Sequence, residues 1–279
     1  MSGCGCQSPD AAPYVLERVT LVANERVAEG VGLAVFSAPH VARTVASGQF
    51  VHLRIAHGAD FILRRPFSVH RAHGDRIEIL YQVLGRGTRE LSLADPGTEM
   101  DVVGPLGCGW RIPDGIEHAL IVSGGLGAAP LGMLAEKLAD MGVAVTVAMG
   151  APCGERLVGR ALFERVARRV EIATDDGSCG SCGYVTGICA SLIEDGGFDV
   201  VYTCGPEPMQ RIVAVQAADA GVACQVSLER LMACGIGACL SCVVETRSGF
   251  KKACTDGPVF DAADIVWTSA EAATPHTQA

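Results

Sequence analysis

Four cysteines near the end of the 279-residue chain are spaced for metal chemistry. Cys234, Cys239 and Cys242 form the pattern C-x4-C-x2-C, and Cys254 follows after eleven intervening residues. That is the spacing of a plant-type 2Fe–2S site, in which four thiolates converge on two irons. Gly235, Gly237 and Ala238 keep side chains out of a loop that must wrap closely, and leave backbone N–H groups to donate to sulfur. Structural zinc also accepts four thiolates. Zinc ribbons usually present two paired knuckles, so three ligands in one glycine-rich loop suit a cluster better.

A second segment, Arg64-Arg65-Pro66-Phe67-Ser68-Val69, follows an apolar strand run. It resembles the R-x-[YF]-[ST] flavin signature of the ferredoxin reductase superfamily. In that role the Arg65 guanidinium neutralises the FAD pyrophosphate, and Pro66 fixes the turn. Phe67 lies along the isoalloxazine or ribityl chain, and Ser68 hydrogen-bonds near flavin N5. The bland alternative is a basic pair at a strand end. Leu80-Tyr81-Gln82 then leads to Gly87 and Thr88, which offer N–H groups and a hydroxyl to a phosphate. Gly104-Pro105-Leu106-Gly107-Cys108-Gly109 reads as a tight linker.

A third set suits a nicotinamide dinucleotide. Ser123-Gly124-Gly125-Leu126-Gly127-Ala128-Ala129-Pro130 follows a strand run and precedes a helical one, so amides and a helix dipole can meet a pyrophosphate. Asp175 or Asp176, after another strand run, can accept from a ribose hydroxyl. Cys204-Gly205-Pro206 ends a third. In reductases of the ferredoxin reductase superfamily such a turn sits against the nicotinamide, which places Cys204 near nicotinamide and flavin.

The elements behind these segments fall into three parts. Val15–Val22, Val31–Phe36, Phe50–Ile55, Phe61–Leu63 and Ile77–Val83 are short strand-like runs between turn residues, the pattern of a barrel or sandwich. From His118 the pattern alternates: strands over His118–Val122, Val143–Met149, Val170–Ala173 and Val200–Tyr202, helices over Leu131–Met141, Ala161–Ala167 and Met209–Ala220. That alternation predicts a parallel sheet of βαβ units. The Cys/Gly-rich segment after Val226 is too short for its own core and needs an inorganic staple.

Composition narrows the function. The chain is 49% hydrophobic, with a formal charge of −9 and no basic stripe. This argues against nucleic acid or an anionic membrane as the main partner. No apolar run reaches the roughly 20 residues of a membrane span. The start, MSGCGCQSPD, lacks a basic region and an apolar core, so a cytoplasmic location is expected. Thirteen cysteines in a reducing compartment point to ligation rather than disulfides.

The order of the segments resembles the electron-transfer subunits of dihydroorotate dehydrogenase B, from about Tyr14 to Phe260. The matching stretches are LRRPFSV, ATDDGS, YTCGPEPM, MACGIGACLSCVVE and ACTDGPVF. The expected fold is multidomain, β plus α/β. An antiparallel β-barrel FAD domain spans 12–112, a Rossmann-like parallel-sheet NAD domain 113–222, and a small 2Fe–2S module 223–267, with a disordered tail over 268–279. The resemblance implies that an FMN-containing catalytic subunit oxidises dihydroorotate to orotate in pyrimidine biosynthesis. Electrons would pass through this chain's cluster and FAD to NAD+, within a heterotetramer of two plus two. FAD contacts carry over to Arg65–Ser68, Leu80–Gln82 and Gly87–Thr88, and cluster ligands to the four cysteines. No acid–base residue is demanded here. Competing readings are the flavin subunit of a hydrogenase, a sulfite reductase or an NADH–ferredoxin transhydrogenase, and, in another class, a zinc-binding scaffold module. One departure stands out: Cys179 and Cys182 form a C-x2-C that, with Cys4 and Cys6, could make a second metal or redox site. Cys108 and Cys153 stand alone, and Cys189 and Cys224 read as core thiols.

Overall fold

The computed structural model describes residues 14–56 and 61–267. Cys4, Cys6 and the tail over 268–279 lie outside them. Seven strands build the first sheet: β1 (Val15–Ala28), β2 (Val31–Ser37), β3 (Phe50–Arg54), β4 (Arg65–Ser68), β5 (Arg71–His73), β6 (Arg76–Gln82) and β7 (Glu99–Leu106). They run antiparallel in the order β4-β3-β7-β1-β2-β6-β5. Consecutive strands β4 and β5 thus sit at opposite edges. The Val69 amide bonds back to Gln49 and the His70 amide to Glu78, so the chain between them closes the sheet into a barrel. Alternate residues face inward, as a period of two requires. Val19, Leu21, Phe36, Val51, Leu53, Phe67, Ile77, Ile79, Tyr81 and Val102 fill the interior.

Phe61–Leu63 form no strand, contrary to the sequence expectation. Pairing begins at Arg65, opposite Leu53, and Ile62 and Leu63 are exposed. Two short helices interrupt the β pattern: α1 (Pro39–Thr44) and α2 (Arg86–Ser92).

The second sheet contains β8 (His118–Gly124), β9 (Ala144–Ala151), β10 (Arg169–Thr174), β11 (Ser181–Cys182), β12 (Val200–Cys204), β13 (Ala223–Ser227) and β16 (Val259–Asp261). Its order is β11-β10-β9-β8-β12-β13-β16, parallel except for the last strand. Helices α3 (Gly132–Asp140), α4 (Arg160–Val166), α5 (Val185–Asp195) and α6 (Glu207–Asp219) make the crossovers. Strand order reverses between β8 and β12, and the carboxyl ends at such a switch point form the crevice where α/β sheets bind ligands. β13 and β16, read from sequence as part of the cluster module, are strands of this sheet. The remaining module is a loop and a hairpin, β14 (Val243–Thr246) with β15 (Gly249–Lys252). Its buried Cys242, Val244, Ala253 and Cys254 share one core with Phe50 and Leu106 of the barrel and Leu120, Val122 and Val226 of the parallel sheet. No helix among the described residues is long and apolar enough to cross a membrane.

Candidate cofactor sites

The cluster loop has the backbone its glycines predict. Gly235 and Gly237 have φ of +73° and +82°, and Leu240 also adopts positive φ. The turns aim amides at sulfur: Gly237 N–H donates to Cys254 Sγ at 3.2 Å and Cys239 N–H to Cys234 Sγ at 3.4 Å. Hydrogen bonds with Ser241, and then with Cys234, bring the exposed Cys239 thiol down to about 6. Cys254 is pushed up to about 12, by burial first and then by the neighbouring Cys242 thiol. Cys239 thus lies beside Cys234 and Cys254 beside Cys242, with Cys234 also close enough to act on Cys254. Among the described residues, no three or more His, Cys, Asp or Glu side chains are grouped to hold a single metal ion. A two-iron cluster takes two thiolates on each iron. The donor set, with its amides already directed at sulfur, fits the cluster.

The linker has a task that its sequence did not disclose. Cys108 N–H donates to the Gly257 carbonyl at 2.5 Å, and Cys108 Sγ to the Thr255 carbonyl at 3.3 Å. A Cβ on Gly107 would lie 2.5 Å from the Gly257 oxygen. The linker therefore pins the segment carrying Cys254 to the barrel.

At the flavin signature the two arginines divide. Arg64 pairs with the Asp101 carboxylate and donates to the Asp101 carbonyl at 3.0 Å, a structural tie from the residue before β4 to β7. Arg65 donates to the Leu63 carbonyl, and its side chain lies over Gly87, where a Cβ would be 3.2 Å from Nε. RPFS and the Gly87–Thr88 turn are thus brought together. Gly87 and Thr88 occupy the first turn of α2, whose leading amides lack helical acceptors. A guanidinium beside such amides fits a pyrophosphate. The Thr88 hydroxyl is less available than expected, because it accepts from the Leu84 and Gly85 amides at 3.0 and 3.2 Å. Phe67 and Tyr81 also depart from expectation. Both rings are buried inside the barrel, edge to face at 6.5 Å, and Tyr81 passes over Gly32 to bond Asn24 at 2.8 Å. The pleat explains this: Pro66 and Ser68 face outward where Phe67 faces in, and Leu80 and Gln82 flank Tyr81 on the opposite face.

The nicotinamide segments meet at the switch point. A Cβ on Gly127 would lie 2.1 Å from the Cys204 oxygen, one on Gly124 2.6 Å from Met209 Sδ, and one on Gly205 3.0 Å from Gly124 backbone. Glycine at all three positions lets the β8 turn and the Cys204–Pro206 turn touch. Gly125 has φ of +54°. The helix dipole expected here is directed elsewhere. A 3-10 turn over Gly125–Ala128 intervenes, and α3 begins against the barrel, where Met133 N–H donates to the His70 carbonyl at 3.1 Å. The Cys204 thiol is buried rather than presented to a ligand, and burial raises its pKa. Asp175 and Asp176 are exposed after β10. The Asp176 carboxylate accepts from Ser178 Oγ and N–H at 2.6 and 2.9 Å, bonds that lower its pKa. Nearby, Arg160 Nη1 reaches Cys179 Sγ at 3.4 Å; Cys182 is exposed, and among the described residues no three-ligand group forms around this pair. Cys189 and Cys224 are core thiols, as expected.

Comparison with known proteins agrees with this geometry. Residues 229–266 match the iron-sulfur cluster binding domain of dihydroorotate dehydrogenase B. The dihydroorotate dehydrogenase B (NAD(+)) electron transfer subunit of Geobacillus thermodenitrificans is 40% identical over 90% of this chain and 98% of its own length. That of Desulforamulus reducens is 38% identical over 83% and 91%. This chain belongs to the dihydroorotate dehydrogenase B electron transfer subunits. Members of that family are oxidoreductase subunits, and an electron transfer subunit works with a catalytic partner. A solved NADH-dependent reduced ferredoxin-NADP oxidoreductase superposes with a TM-score of 0.82 at 31% identity, covering 89% of each chain. The ferredoxin reductase of carbazole 1,9a-dioxygenase, at 17% identity and a TM-score of 0.65 over 76% and 68%, shares the fold.

Proposed function

We propose that this chain takes electrons from an FMN-containing, dihydroorotate-oxidising subunit and delivers them to NAD+, using one 2Fe–2S cluster and one FAD. When bound, the cluster exchanges single electrons and the flavin joins single-electron steps to hydride transfer with NAD+. The observation that carries this reading is a four-cysteine loop whose amides are directed at sulfur, beside a barrel bearing an outward flavin signature.

Each set of residues has a part. Cys234, Cys239, Cys242 and Cys254 hold the irons. Arg65 and the Gly87–Thr88 amides hold the FAD pyrophosphate. Pro66 and Ser68 border the flavin ring, with the backbone of Leu80–Gln82 beside it. Phe67 and Tyr81 support that wall from within the barrel. Gly124, Gly125 and Gly127 with Cys204, Gly205 and Pro206 form the bed for the nicotinamide half, and Asp175 or Asp176 takes a ribose hydroxyl. Proton abstraction from dihydroorotate belongs to the partner. The assembly is two plus two and works in the cytoplasm, with neither nucleic acid nor membrane as partner. The test is co-expression with a type B catalytic subunit. Dihydroorotate should then reduce NAD+ only when this chain is present. Reduction of artificial dyes alone, with both cofactors loaded, sinks the proposal.

A second reading, a subunit of an NADH–ferredoxin transhydrogenase, draws on the close superposition with the NADH-dependent enzyme. Reduced ferredoxin with NADH and NADP+ discriminates the two, since only that reading predicts turnover without dihydroorotate.

A further inference from the structure

His52 is a buried polar side chain that nothing above uses. It lies on β3 and is 0% exposed; neither ring nitrogen makes a hydrogen bond of full geometry, and the backbone group within its reach is that of Cys234. Buried polar groups are costly without partners and are rarely left so. The ring is aimed at the cluster loop. A Cβ on Gly235 would stand 2.6 Å from His52 Nδ1, so glycine there admits the imidazole against the residue that follows the ligand Cys234. Gly235 is itself buried, with φ of +73°.

The other side of His52 belongs to the flavin signature. In the β3–β4 register His52 faces Pro66 and Phe50 faces Ser68. Opposed residues of an antiparallel pair share a face, as do residues i and i+2. His52 therefore shares the outward face with Pro66 and Ser68, the two residues proposed to border the flavin ring. Phe50 packs edge to face on His52 at 6.4 Å and enters the core that contains Cys242 and Cys254. One imidazole thus touches the loop of the first ligand from the strand pair that carries the flavin signature.

We propose that His52 is a positioning residue for the cluster, giving a ring N–H to the Cys234 backbone carbonyl and so fixing that loop, with its Cys239 N–H to Cys234 Sγ bond, against the flavin-bearing strands. The inference rests on the cluster reading above. An imidazole in any protonation state keeps at least one N–H to give. Amide hydrogen bonds to the sulfur shell, such as Cys239 N–H to Cys234 Sγ, stabilise the extra electron of the reduced cluster, so a loop released from His52 loses them and its reduction potential falls.

The test uses the full chain with its cofactors, in the wild type, His52→Leu and His52→Gln. The readout is an EPR-monitored redox titration, with iron, sulfide and FAD content measured on the same samples. Leucine removes the donor and glutamine keeps one. At the wild-type midpoint, His52→Leu is expected to lower the reduced-to-oxidised ratio at least tenfold, a downward shift of about 59 mV for a one-electron couple. His52→Gln should stay within twofold of wild type. If His52→Leu loses its cluster, His52→Gln decides: a cluster at the wild-type potential upholds the proposal, and a lost one reduces His52 to packing and overturns it. Equal shifts in both variants, or none in either, also overturn it. A wild-type chain lacking iron and sulfide would fail the cluster reading itself, a result distinct from all of these.

Discussion

Replacing Gly127 with alanine should damage the proposed nicotinamide site by a route that can be worked from distances. The added Cβ would lie 2.1 Å from the Cys204 oxygen, 2.4 Å from its carbonyl carbon and 2.7 Å from the Gly205 nitrogen. Ordinary contact begins at 3.4 Å, so the two turns must separate by roughly 1 Å or more. All three obstacles are backbone. Cys204 is held in register by Ser123 of β8 and Ser227 of β13, so the β12 end cannot yield cheaply. Forcing a methyl group into such packing costs about 1–3 kcal/mol, which lowers Tm by roughly 2–10 °C for a chain of this size. Gly125→Ala is the control, because it has φ of +54° and open space beside it. It carries only backbone strain, about 1–2 kcal/mol, and leaves the contact between the turns intact. The assays are thermal unfolding and the KM for NADH in dye reduction. Gly127→Ala should raise KM at least tenfold and Gly125→Ala much less. A Gly127→Ala protein with wild-type Tm and KM would refute the contact on which this reasoning depends.

Other perturbations separate the remaining sites. Cys239→Ser should abolish the EPR signal of the reduced protein while FAD stays bound, as read by flavin absorbance. Arg65→Ala removes the charge proposed for the FAD pyrophosphate; a charge-assisted bond is worth about 1.5–3 kcal/mol, so FAD affinity should fall roughly 10- to 100-fold by flavin fluorescence. Arg64→Ala should instead cost stability through its lost Asp101 pair. Glu136 on α3 ties the barrel to the second sheet through Arg71 at 2.8 Å and also bonds Arg165 at 3.0 Å. Burial opposes its ionisation, but the Arg71 and Arg165 bonds outweigh it and hold the folded-state pKa below the ordinary carboxylate range. Its stabilisation is therefore present above that range and lost as pH falls through the folded-state value. Glu136→Gln should cost about 1–2 kcal/mol at pH 7 and flatten the acid limb of a stability-versus-pH curve.

Much of this was legible in sequence because the chemistry constrains local spacing. The cluster loop needs three ligands and small residues within nine positions, and its glycines do adopt the predicted backbone. The alternating strands and helices from His118 were legible through hydrophobic periodicity. What sequence hid was sidedness and long-range contact. Phe67 and Tyr81 sit amid flavin-like motifs, but the pleat turns both inward. No local pattern shows that α3 starts against His70, or that Cys108 pins the Cys254 segment. Helix α5 begins Val-Thr-Gly-Ile, residues with little helical preference, and is fixed by packing Cys189, Leu192 and Ile193 into the shared core. β13 and β16 flank the cluster cysteines in sequence, and only strand pairing shows that they complete the sheet.

The most direct test of the central claim is the cofactor content of the purified chain, measured anaerobically with an EPR spectrum after chemical reduction. The account predicts a coloured protein with two irons and two acid-labile sulfides per chain, one FAD, and an EPR signal in the reduced state. A colourless preparation holding zinc on the same cysteines, without flavin, would contradict it.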